Sequence, residues 1–338
     1  MTPANGFSGA YQRAGPLVNA AALLREFGVA PAEMTQGLDI DLETVTADTR
    51  VSFPACLELL ERAAERTGCS HFGLLLGARY SWDAHGVIYR LARDAPTLRQ
   101  ALLDWVTWQL GYSTGAVVYL YKSGQDFVFG YGIYDRVSPG SRQLYELSVS
   151  AESNIVRDLT AGQVTPSEIL LCHKPPDDLR PYRAILKTPV RFNEHQCCLI
   201  IPGSAIDHPL PQADPVRRDQ TLREIAAMLG ATTASPSARL RHIIRPQLFR
   251  EDPSMDGAAQ TLGLTPRTLR RHLAEEGTTF HGIRDEVRFK AARELLDLTD
   301  LSIGEISTAL AFASPSAFAQ TFRRWSGMTA LAWRTRHD

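Results

Sequence analysis

The chain has 338 residues, a formal net charge of −1, 44% hydrophobic and 22% charged residues. This composition is that of a soluble globular protein, and the length predicts two domains rather than one hydrophobic core. No apolar run approaches the roughly 18 residues of a membrane span, and the N-terminus lacks the basic-then-apolar pattern of a signal peptide. The five cysteines form no disulfide framework, so we expect a cytoplasmic protein and exclude secreted and membrane classes.

Charge is unevenly distributed along the chain. From Ser235 to the C-terminus there are 15 Lys and Arg residues against 12 Asp and Glu, a net charge of +3. The preceding 234 residues carry 21 against 25, a net charge of −4. The C-terminal third is therefore mildly basic, which indicates a polyanionic partner at that end of the chain.

The first 210 residues predict an α+β domain. Apolar residues repeat with helical spacing over residues 17–110. Two β-rich runs at 116–121 and 126–134 flank the short segment KSGQ and predict a hairpin. A helical stretch follows at 142–161. Further short strands are predicted at 168–174, 189–192 and 197–202.

Residues 211–235 predict a linker that contains one amphipathic helix. The proline-rich segment DHPLPQADP ends the first domain in an extended stretch. A helix follows over residues 216–229 and is ended by Gly230. The sequence does not decide which domain this helix packs on. Residues 236–338 then predict an all-α domain of helices separated by brief turns.

The all-α region contains one structural unit twice. In the first copy, MDGAAQTLGL predicts a short helix ended by Gly263, and Thr265 caps a second helix that begins at Pro266. In the second copy, SIGEISTALAF is followed by Ser314 as the cap and Pro315 at the first helical position. Two short helices joined by a tight turn form a helix-turn-helix, whose second helix can enter the DNA major groove.

A predicted helix separates the two copies. Its sequence, GIRDEVRFKAARELLDLT, places Ile283, Val287, Ala291 and Leu295 on one side. Sixteen helical residues would span about 24 Å. With the flanking turns, this length could hold two recognition helices about 34 Å apart, which is one turn of DNA. One chain could then read two successive major grooves on one face of a duplex.

Four stretches of this chain resemble the DNA-binding domain of AraC-family transcriptional regulators of bacteria. They are AAQTLGLTPRTLRRHLAEEGTTF, VRFKAARELL, LSIGEISTALAFASPSAFAQTFRRWSGMT and AWR. The resemblance covers about residues 237–336. It implies double-stranded promoter DNA as a partner and recognition helices at residues 266–275 and 315–325. The family's base-facing positions fall on Arg267, Arg270, Arg271, Ser316, Ala319 and Gln320.

These residue types predict unequal roles for the two helices. Arginine can bind guanine through two hydrogen bonds and discriminates by about 1–3 kcal/mol per good pair, while glutamine suits adenine. The three arginines share one face of the first helix, opposite Leu269 and Leu273. We therefore expect the first unit to dominate base readout. The expected DNA-binding set is completed by the phosphate-facing Arg323 and Arg324 and by the helix starts Thr265 and Ser314.

The chain departs from the usual family pattern at two positions. Ala311 lies in the turn of the second unit, where family members usually have glycine. If this position requires a positive φ, alanine costs about 1 kcal/mol there. Ala330 replaces a usual proline after Thr329, which is a minor change because alanine also begins a helix well.

The first 210 residues resemble the arabinose-binding-like sensor domain of one AraC subgroup. The stretches HFGLLLGARYSWDAHGVIYRLARDAPTLRQAL and YRAILKTPVRFNEHQCCLIIP carry this similarity. The resemblance implies a small-molecule effector of unknown identity and often a homodimer. A group of aromatic residues could line the effector site. The alternative is that they are ordinary members of the hydrophobic core. These residues are Trp82, Tyr89, Trp105, Trp108, Tyr112, Tyr119 and Tyr131.

Two motifs suggest chemistry that their context does not support. GYSTG at 111–115 matches the G-x-S-x-G nucleophile elbow, with Ser113 as the nucleophile. That elbow requires a strand before the serine and a helix after it, and the predicted order here is the reverse. A soft-metal site would use Cys172, His173, His195, Cys197 and Cys198. Their spacing fits no common zinc pattern, so we expect no catalytic residue, no metal and no cofactor.

The sequence therefore predicts a DNA-binding transcriptional regulator. We expect residues 1–210 to bind an effector and to dimerise, and residues 236–338 to bind promoter DNA. Activation is the favoured direction, with RNA polymerase as a further partner and no membrane association. Two alternatives remain open. One is a ligand-independent regulator whose N-terminal domain serves dimerisation or protein contacts, and the other is a hydrolase that uses Ser113.

Overall fold

The computed structural model describes residues 10–133, 140–229, 235–250 and 252–336. The predicted strand residue Tyr134, the helix end at Gly230 and most of the polar linker after it lie outside the described residues. The described chain forms an N-terminal α+β domain followed by an all-α domain, so the predicted fold class is confirmed. None of the described helices combines the length and apolar character needed to cross a lipid bilayer.

The N-terminal domain contains a two-stranded pair, a five-stranded sheet and the helices around them. Its strands are β1 (Tyr11–Arg13), β2 (Arg50–Ser52), β3 (Ala116–Ser123), β4 (Asp126–Ile133), β5 (Glu168–Leu170), β6 (Val190–Arg191) and β7 (Cys197–Ile201). Its helices are α1 (Ala20–Glu26), α2 (Pro31–Met34), α3 (Phe53–Thr67), α4 (Phe72–Ala78), α5 (Val87–Arg93), α6 (Leu98–Trp108), α7 (Ser141–Leu159) and α8 (Arg180–Leu186). The predicted hairpin, later helix and three later strands are confirmed.

The larger sheet has the strand order β3-β4-β7-β5-β6, with β5 and β6 parallel and the other described pairs antiparallel. Because side chains alternate along a strand, the sheet has two faces. The inner face carries Phe129 and Tyr131 into the main core, together with the surrounding helices. The outer face carries Tyr119 and Val128 into a separate small cluster. Cys197 and Cys198 divide between the two faces, as expected for neighbours in a strand.

Helix α7 packs against the inner face and is buried along most of its length. Helix α4 approaches it closely because glycines one turn apart face it. A Cβ atom at Gly73 would lie 2.0 Å from the carbonyl oxygen of Gln143. A Cβ atom at Gly77 would lie 2.3 Å from the carbonyl oxygen of Leu147. The position of α7 is therefore set by backbone contact with α4.

Helix α9 (Pro215–Leu229) packs on the N-terminal domain, which the sequence left undecided. The guanidinium of Arg218 donates to Asp104 Oδ1 on α6 at 2.9 Å. Arg217 Nη2 lies 3.1 Å from Asp94 Oδ1, at the end of α5. Both aspartates are nearly buried, so these pairs attach the helix more firmly than exposed ion pairs would.

The C-terminal domain consists of seven described helices around one core. They are α10 (Pro236–Gln247), α11 (Met255–Thr261), α12 (Pro266–Glu275), α13 (Phe280–Leu298), α14 (Ile303–Ala309), α15 (Pro315–Ser326) and α16 (Ala330–Arg334). Helices α11 and α12 form the first helix-turn-helix, and α14 and α15 form the second. The predicted core positions of α13, from Ile283 to Leu295, are buried against both units.

The turns of the two units differ at one position. In the first turn, Gly263 has a φ of 67°, in the left-handed region that glycine adopts readily. In the second turn, Ala311 has a φ of 54°. Ala311 therefore has the positive φ at which alanine is expected to be costly. In this left-handed conformation the Cβ atom comes close to the following carbonyl.

We predict that Gly77→Ala destabilises the protein by about 3 kcal/mol, because the new methyl group overlaps the backbone of α7. Chemical denaturation followed by circular dichroism measures this change. Gly111→Ala is the matched control, since a Cβ atom there meets nothing within 4 Å, and its effect should stay within about 0.5 kcal/mol. Equal effects of the two substitutions would show that close packing of α4 on α7 is not required.

We predict that Ala311→Gly stabilises the C-terminal domain by about 1 kcal/mol, since it relieves the left-handed alanine. Thermal unfolding of the two proteins measures the difference. Ala313→Gly in the same turn is the control, because Ala313 is not among the described residues with positive φ. That control should be neutral or destabilising; stabilisation by both substitutions would point to turn flexibility instead.

Candidate DNA interface and ligand cavity

Both predicted recognition helices begin at their predicted caps. The Thr265 hydroxyl accepts a hydrogen bond from the backbone N–H of Thr268 at 3.1 Å, and α12 starts at the following proline. The Ser314 hydroxyl accepts from the backbone N–H of Ala317 at 3.1 Å, at the start of α15. These bonds satisfy donors that a helix leaves unpaired at its N-terminus, so the ends of both helices are well defined.

The solvent face of α12 carries the three predicted arginines. Arg267, Arg270 and Arg271 are all exposed, while the two leucines of the helix are buried in the domain core. Arg271 Nε lies 3.7 Å from Glu275 Oε1, and both side chains are mostly exposed. Such an exposed pair contributes little to stability. The arginines therefore present a cationic surface that could meet phosphates or guanine edges.

The solvent face of α15 is less charged where bases would be read. Ser316, Ala319 and Gln320 are exposed, and Phe318 and Phe322 are buried on the opposite side. One amide side chain and two small residues offer fewer hydrogen-bond donors than α12 does. The arrangement is consistent with the expectation that α12 contributes more to base readout, which remains a prediction.

Two further cations lie near the end of α15. Arg323 and Arg324 are exposed, and Arg324 Nη2 donates weakly to Asp285 Oδ2 of α13 at 3.4 Å. Helix α13 has 19 residues and is about 28 Å long at 1.5 Å per residue. The helix is slightly longer than the sixteen residues expected from the sequence. It separates the two helix-turn-helix units, and both units pack against its buried side.

The N-terminal domain encloses a cavity of about 40 Å³ between the sheet, α6 and α7. Its walls are mostly aromatic and apolar, with a few polar side chains among them. The residues most relevant to ligand binding are Trp105, Gln109, Tyr112, Tyr131, Ser148 and Glu152. A volume of this size holds about three water-sized groups. It could therefore accept the head group of a ligand.

Several polar atoms around this cavity lack hydrogen-bond partners among the described residues. Neither carboxyl oxygen of Glu152 has a hydrogen-bond partner among these residues, although Glu152 is only 1% exposed. The same is true of Trp105 Nε1 and of the Oε1 atoms of Gln12 and Gln109. Burial raises the pKa of Glu152 well above its ordinary value. Because buried polar groups are normally hydrogen-bonded, this concentration of unpaired atoms marks a candidate ligand site.

A larger pocket of about 280 Å³ adjoins this cavity. The two spaces share His85 and Tyr112, whose rings stack with centroids 4.2 Å apart. The larger pocket is also lined by Trp108 and by Glu224 and Ile225 of α9. One wall of the pocket is therefore formed by the helix that leads to the C-terminal domain.

The structure brings together some of the aromatic residues predicted to line an effector site. Trp105, Tyr112 and Tyr131 line the inner cavity, and Trp108 lines the adjoining pocket. The ring centroids of His85 and Trp105 are 5.1 Å apart. These four predicted residues therefore lie around two adjoining spaces, and their role in ligand binding stays a prediction.

The other three predicted aromatics do not line these two spaces, although Trp82 packs against Trp105 with ring centroids 5.6 Å apart. Trp82 and Tyr89 pack edge to face, with ring centroids 5.6 Å apart, beside a different surface pocket. Tyr119 is on the outer face of the sheet, where its hydroxyl donates to Gln196 Oε1 at 3.2 Å. Clustering in the sequence did not reveal this separation, because strand alternation sends Tyr119 away from the cavity.

The two domains meet at a buried hydrogen-bond network. Tyr145 of α7 donates its hydroxyl to Glu294 Oε1 of α13 at 2.7 Å. Arg245 of α10 donates to the same oxygen at 2.9 Å, and its Nε donates to the carbonyl oxygen of Ile133 at 3.2 Å. The backbone N–H of Ile133 donates in turn to the Tyr145 hydroxyl at 3.1 Å. Arg245 and Glu294 are 3% and 4% exposed, so the pair depends on its partners from the N-terminal domain.

Backbone contacts extend this interface. The N–H of Lys174 donates to the carbonyl oxygen of Leu298 at 2.8 Å, at the end of α13. The N–H of Asp300 donates to Asn193 Oδ1 at 3.0 Å. Lys174 Nζ also lies 3.2 Å from Asp300 Oδ1. The helix that separates the two DNA-binding units is therefore attached to the N-terminal domain near its C-terminal end.

The outer face of the sheet packs against α10. A Cβ atom at Gly132 would lie 3.5 Å from Arg245 Cγ, which is an ordinary packing distance. Farther along, the Arg250 guanidinium lies 4.8 Å from the ring centre of Tyr121. Phe249 and His195 are in ring contact at 5.4 Å. The outer face thus serves as a docking surface for the C-terminal domain.

The G-x-S-x-G serine lies in a turn, as its context indicated. Ser113 follows α6 and precedes β3, is fully buried, and donates its hydroxyl to the carbonyl oxygen of Tyr11 at 3.3 Å. The strand–serine–helix order of a nucleophile elbow is absent at this position.

The thiols and imidazoles that sequence proximity suggested as ligands are divided by the sheet. Cys172 and Cys197 bring their sulfur atoms to 2.8 Å, whereas Cys198 lies on the other face. His173 Nδ1 lies 2.8 Å from the carbonyl oxygen of Lys174. Within the described ranges, no three His, Cys, Asp or Glu side chains form a group able to hold a metal ion.

Sequence reasoning missed three residues of the cavity and the interface. Glu152 follows Leu144 and Ser148 at four-residue spacing, on a helix that also buries Ile155 and Leu159. A charged residue within such an apolar stripe indicates either a functional role or a buried pair. Tyr145 and Glu294 gave no comparable indication, because their hydrogen bond joins two domains and leaves no local pattern in the sequence.

Comparison with known proteins identifies both halves of the chain. Residues 28–210 match the arabinose-binding domain of AraC transcription regulators, and residues 258–336 match a helix-turn-helix domain. The HTH-type transcriptional regulator VirS of Mycobacterium tuberculosis is 26% identical over 92% of this chain and 93% of its own length. The ornithine utilization regulator of Pseudomonas aeruginosa is 26% identical over 94% of this chain and 96% of its own.

A shorter match is the urease operon transcriptional activator of Escherichia coli, which is 36% identical over 24% of this chain and 27% of its own. The solved structure of the transcriptional regulator CdpR from P. aeruginosa covers 95% of this chain and is itself covered to 96%, with 23% identity and a TM-score of 0.47. The N-terminal match spans more than half of the chain, and a second match identifies the helix-turn-helix region. The chain therefore belongs to the AraC family of DNA-binding transcriptional regulators.

Proposed function

We propose that this regulator binds promoter DNA in the cytoplasm under the control of a small-molecule effector held in the N-terminal domain. The observation that carries the proposal is the continuity of α7 between the cavity and the domain interface. Glu152 and Ser148 line the cavity, and Tyr145 on the same helix bonds to Glu294 of the C-terminal domain. A ligand that shifts α7 would change this contact.

The proposed control acts on how firmly the C-terminal domain is docked. A ligand shifts an equilibrium only by its difference in affinity for the two states. The docked state contains the Tyr145–Glu294 hydrogen bond and the backbone contacts at the end of α13. We propose that effector binding weakens these contacts and allows the two helix-turn-helix units to reorient toward DNA.

For DNA itself, we propose that Arg267, Arg270 and Arg271 read bases, with Ser316, Ala319 and Gln320 in a lesser role. Their exposed positions on the two recognition helices support this assignment. Arg323 and Arg324 would contact phosphates, and the N-termini of the helices at Thr265 and Ser314 would face the backbone. The domain limits that accompany this proposal are 1–210, a linker at 211–235, and 236–338.

We further propose that the protein acts as a homodimer and an activator that contacts RNA polymerase. The E. coli relative with 36% identity is named as a transcriptional activator, which supports the direction of control. The competing proposal is a ligand-independent regulator whose N-terminal domain serves only dimerisation or protein contacts. The unpaired polar atoms around the cavity favour the effector-controlled alternative.

We predict that Arg267→Ala with Arg271→Ala relaxes sequence preference and weakens specific binding by about fivefold or more per lost guanine contact, because each good pair contributes about 1–3 kcal/mol. Selection of bound fragments from genomic DNA by the full-length protein gives the motif, and titration gives the affinities. Arg180→Ala is the control, since Arg180 is exposed in the N-terminal domain. The readout assignment is wrong if the double variant recovers the wild-type motif.

We predict that Tyr145→Phe raises the affinity for specific DNA about fivefold in the absence of effector. The substitution keeps the ring but removes the bond to Glu294, and a loss of about 1 kcal/mol shifts docking by that factor. Fluorescence anisotropy with the selected DNA fragment measures the change.

The matched control for this substitution is Tyr121→Phe. Tyr121 bonds to Gln196 within the N-terminal domain, so removing its hydroxyl leaves the Glu294 contact intact. DNA affinity should not change in the control. If Tyr145→Phe also leaves DNA affinity unchanged, docking through α7 does not control DNA binding and the ligand-independent alternative is favoured.

A further inference from the structure

The chemistry of the inner cavity is dominated by one unpaired acid. Glu152 is 1% exposed, and neither carboxyl oxygen has a partner among the described residues. No Lys or Arg of the described residues lines the cavity. Arg13 lines only the adjoining pocket, where it is hydrogen-bonded to Asp48 and to the carbonyl oxygen of Gly111. Among the lining residues that the structure describes, no positive charge therefore balances the acid.

Aromatic rings surround this acid. Trp105 lies 5.4 Å from Phe129 and 5.1 Å from His85 between ring centroids, and His85 stacks on Tyr112. Tyr131 also lines the cavity. The faces of aromatic rings attract cations, most strongly where water is excluded. A carboxylate enclosed by aromatic rings favours a positively charged group over a neutral or negative one.

We propose that the effector is a small organic cation whose ammonium group binds Glu152 and whose apolar part extends past His85 and Tyr112 into the adjoining pocket. This inference rests on the effector control proposed above and specifies the ligand class of the same site. The inner cavity, at about 40 Å³, accommodates the head group, and the adjoining pocket, at about 280 Å³, accommodates the remainder.

The unpaired acceptors match the hydrogen-bonding capacity of a primary ammonium group. Such a group has three N–H donors and no acceptor. Glu152, Gln12 and Gln109 each offer unpaired oxygen atoms at the cavity. A carboxylate ligand would instead bring further acceptors and no donor for the unpaired oxygen atoms of Gln12 and Gln109. An alcohol would leave most of these acceptors without a donor.

Binding should also depend on pH in a defined direction. Among the described residues, the titratable side chains that line the cavity or interact with Glu152 are Tyr80, His85, Tyr112, Tyr131 and Cys198. Burial lowers the pKa of His85 to about 3 and raises the pKa values of the tyrosines and the cysteine. These five groups therefore stay neutral near pH 7. Since the pKa of Glu152 is raised, an ammonium ion that binds its carboxylate displaces a proton.

The test uses the full-length protein and three probes of similar shape: n-butylammonium chloride, n-butanol and sodium butyrate. Isothermal titration calorimetry at millimolar concentrations should show binding of butylammonium with release of a proton. Its affinity should rise by up to about tenfold per pH unit while Glu152 is protonated in the free protein. This measurement needs no variant and therefore does not depend on the folding of one.

A variant locates the charge that is recognised. Glu152→Gln should reduce the affinity for butylammonium at least tenfold, while Glu168→Gln on β5, outside the cavity, should not change it. Circular dichroism and the unfolding temperature establish that each variant is folded. Equal binding of butylammonium by Glu152→Gln and the wild type would overturn the inference.

The three probes separate the two proposals. If butanol or butyrate binds and butylammonium does not, the cation assignment fails while a ligand-binding cavity remains. If none of the three binds, the cation assignment fails as well. Effector control is tested independently by the DNA affinity of Tyr145→Phe, whose result does not depend on the class of ligand.

Discussion

Close contact between α4 and α7 is the constraint on which the rest of the N-terminal domain depends. Gly73 and Gly77 allow the two helices to approach until backbone meets backbone, so α7 can move only together with α4. The same helix then carries Glu152 to the cavity and Tyr145 to the interface with the C-terminal domain. The two residues lie about two turns apart on one helix, so the proposed effector control would act through a rigid element and not through a loop.

The buried pair of Arg245 and Glu294 has a different role from an ordinary ion pair. Both residues belong to the C-terminal domain, but the Tyr145 hydroxyl and the Ile133 carbonyl complete their hydrogen bonds. Removing charges from water is costly, and their attraction offsets that cost only where the remaining donors and acceptors are satisfied. The pair therefore penalises any arrangement in which the domains separate without water replacing those partners. It favours one docked orientation over many loosely associated ones.

The fold could be predicted from the sequence to a large extent, and the site only in part. The caps Thr265 and Ser314, the repeated apolar spacing and the strand hairpin are local features, so the sequence alone was sufficient to place them. The cavity was harder because it depends on which face of each element turns inward. Tyr119 and Tyr131 lie in neighbouring strands with similar surroundings in the sequence, yet they occupy opposite faces. The interface was not predictable, since no local pattern couples Tyr145 to Glu294 across 149 residues.

The outer face of the sheet sets a limit on how far the domains can separate. Val117, Tyr119, Val128, Leu170 and Cys198 form a buried apolar cluster on that face, where α10 packs against β3. Each Å² of apolar surface returned to water costs about 25 cal/mol, and the exposed strands would be prone to association with other chains. A regulatory change that swung the C-terminal domain completely away would expose this cluster. Under the proposed effector control, rotation or sliding about α10 with the cluster kept dry would reorient the domain without that penalty, so the buried cluster favours a pivot over a release.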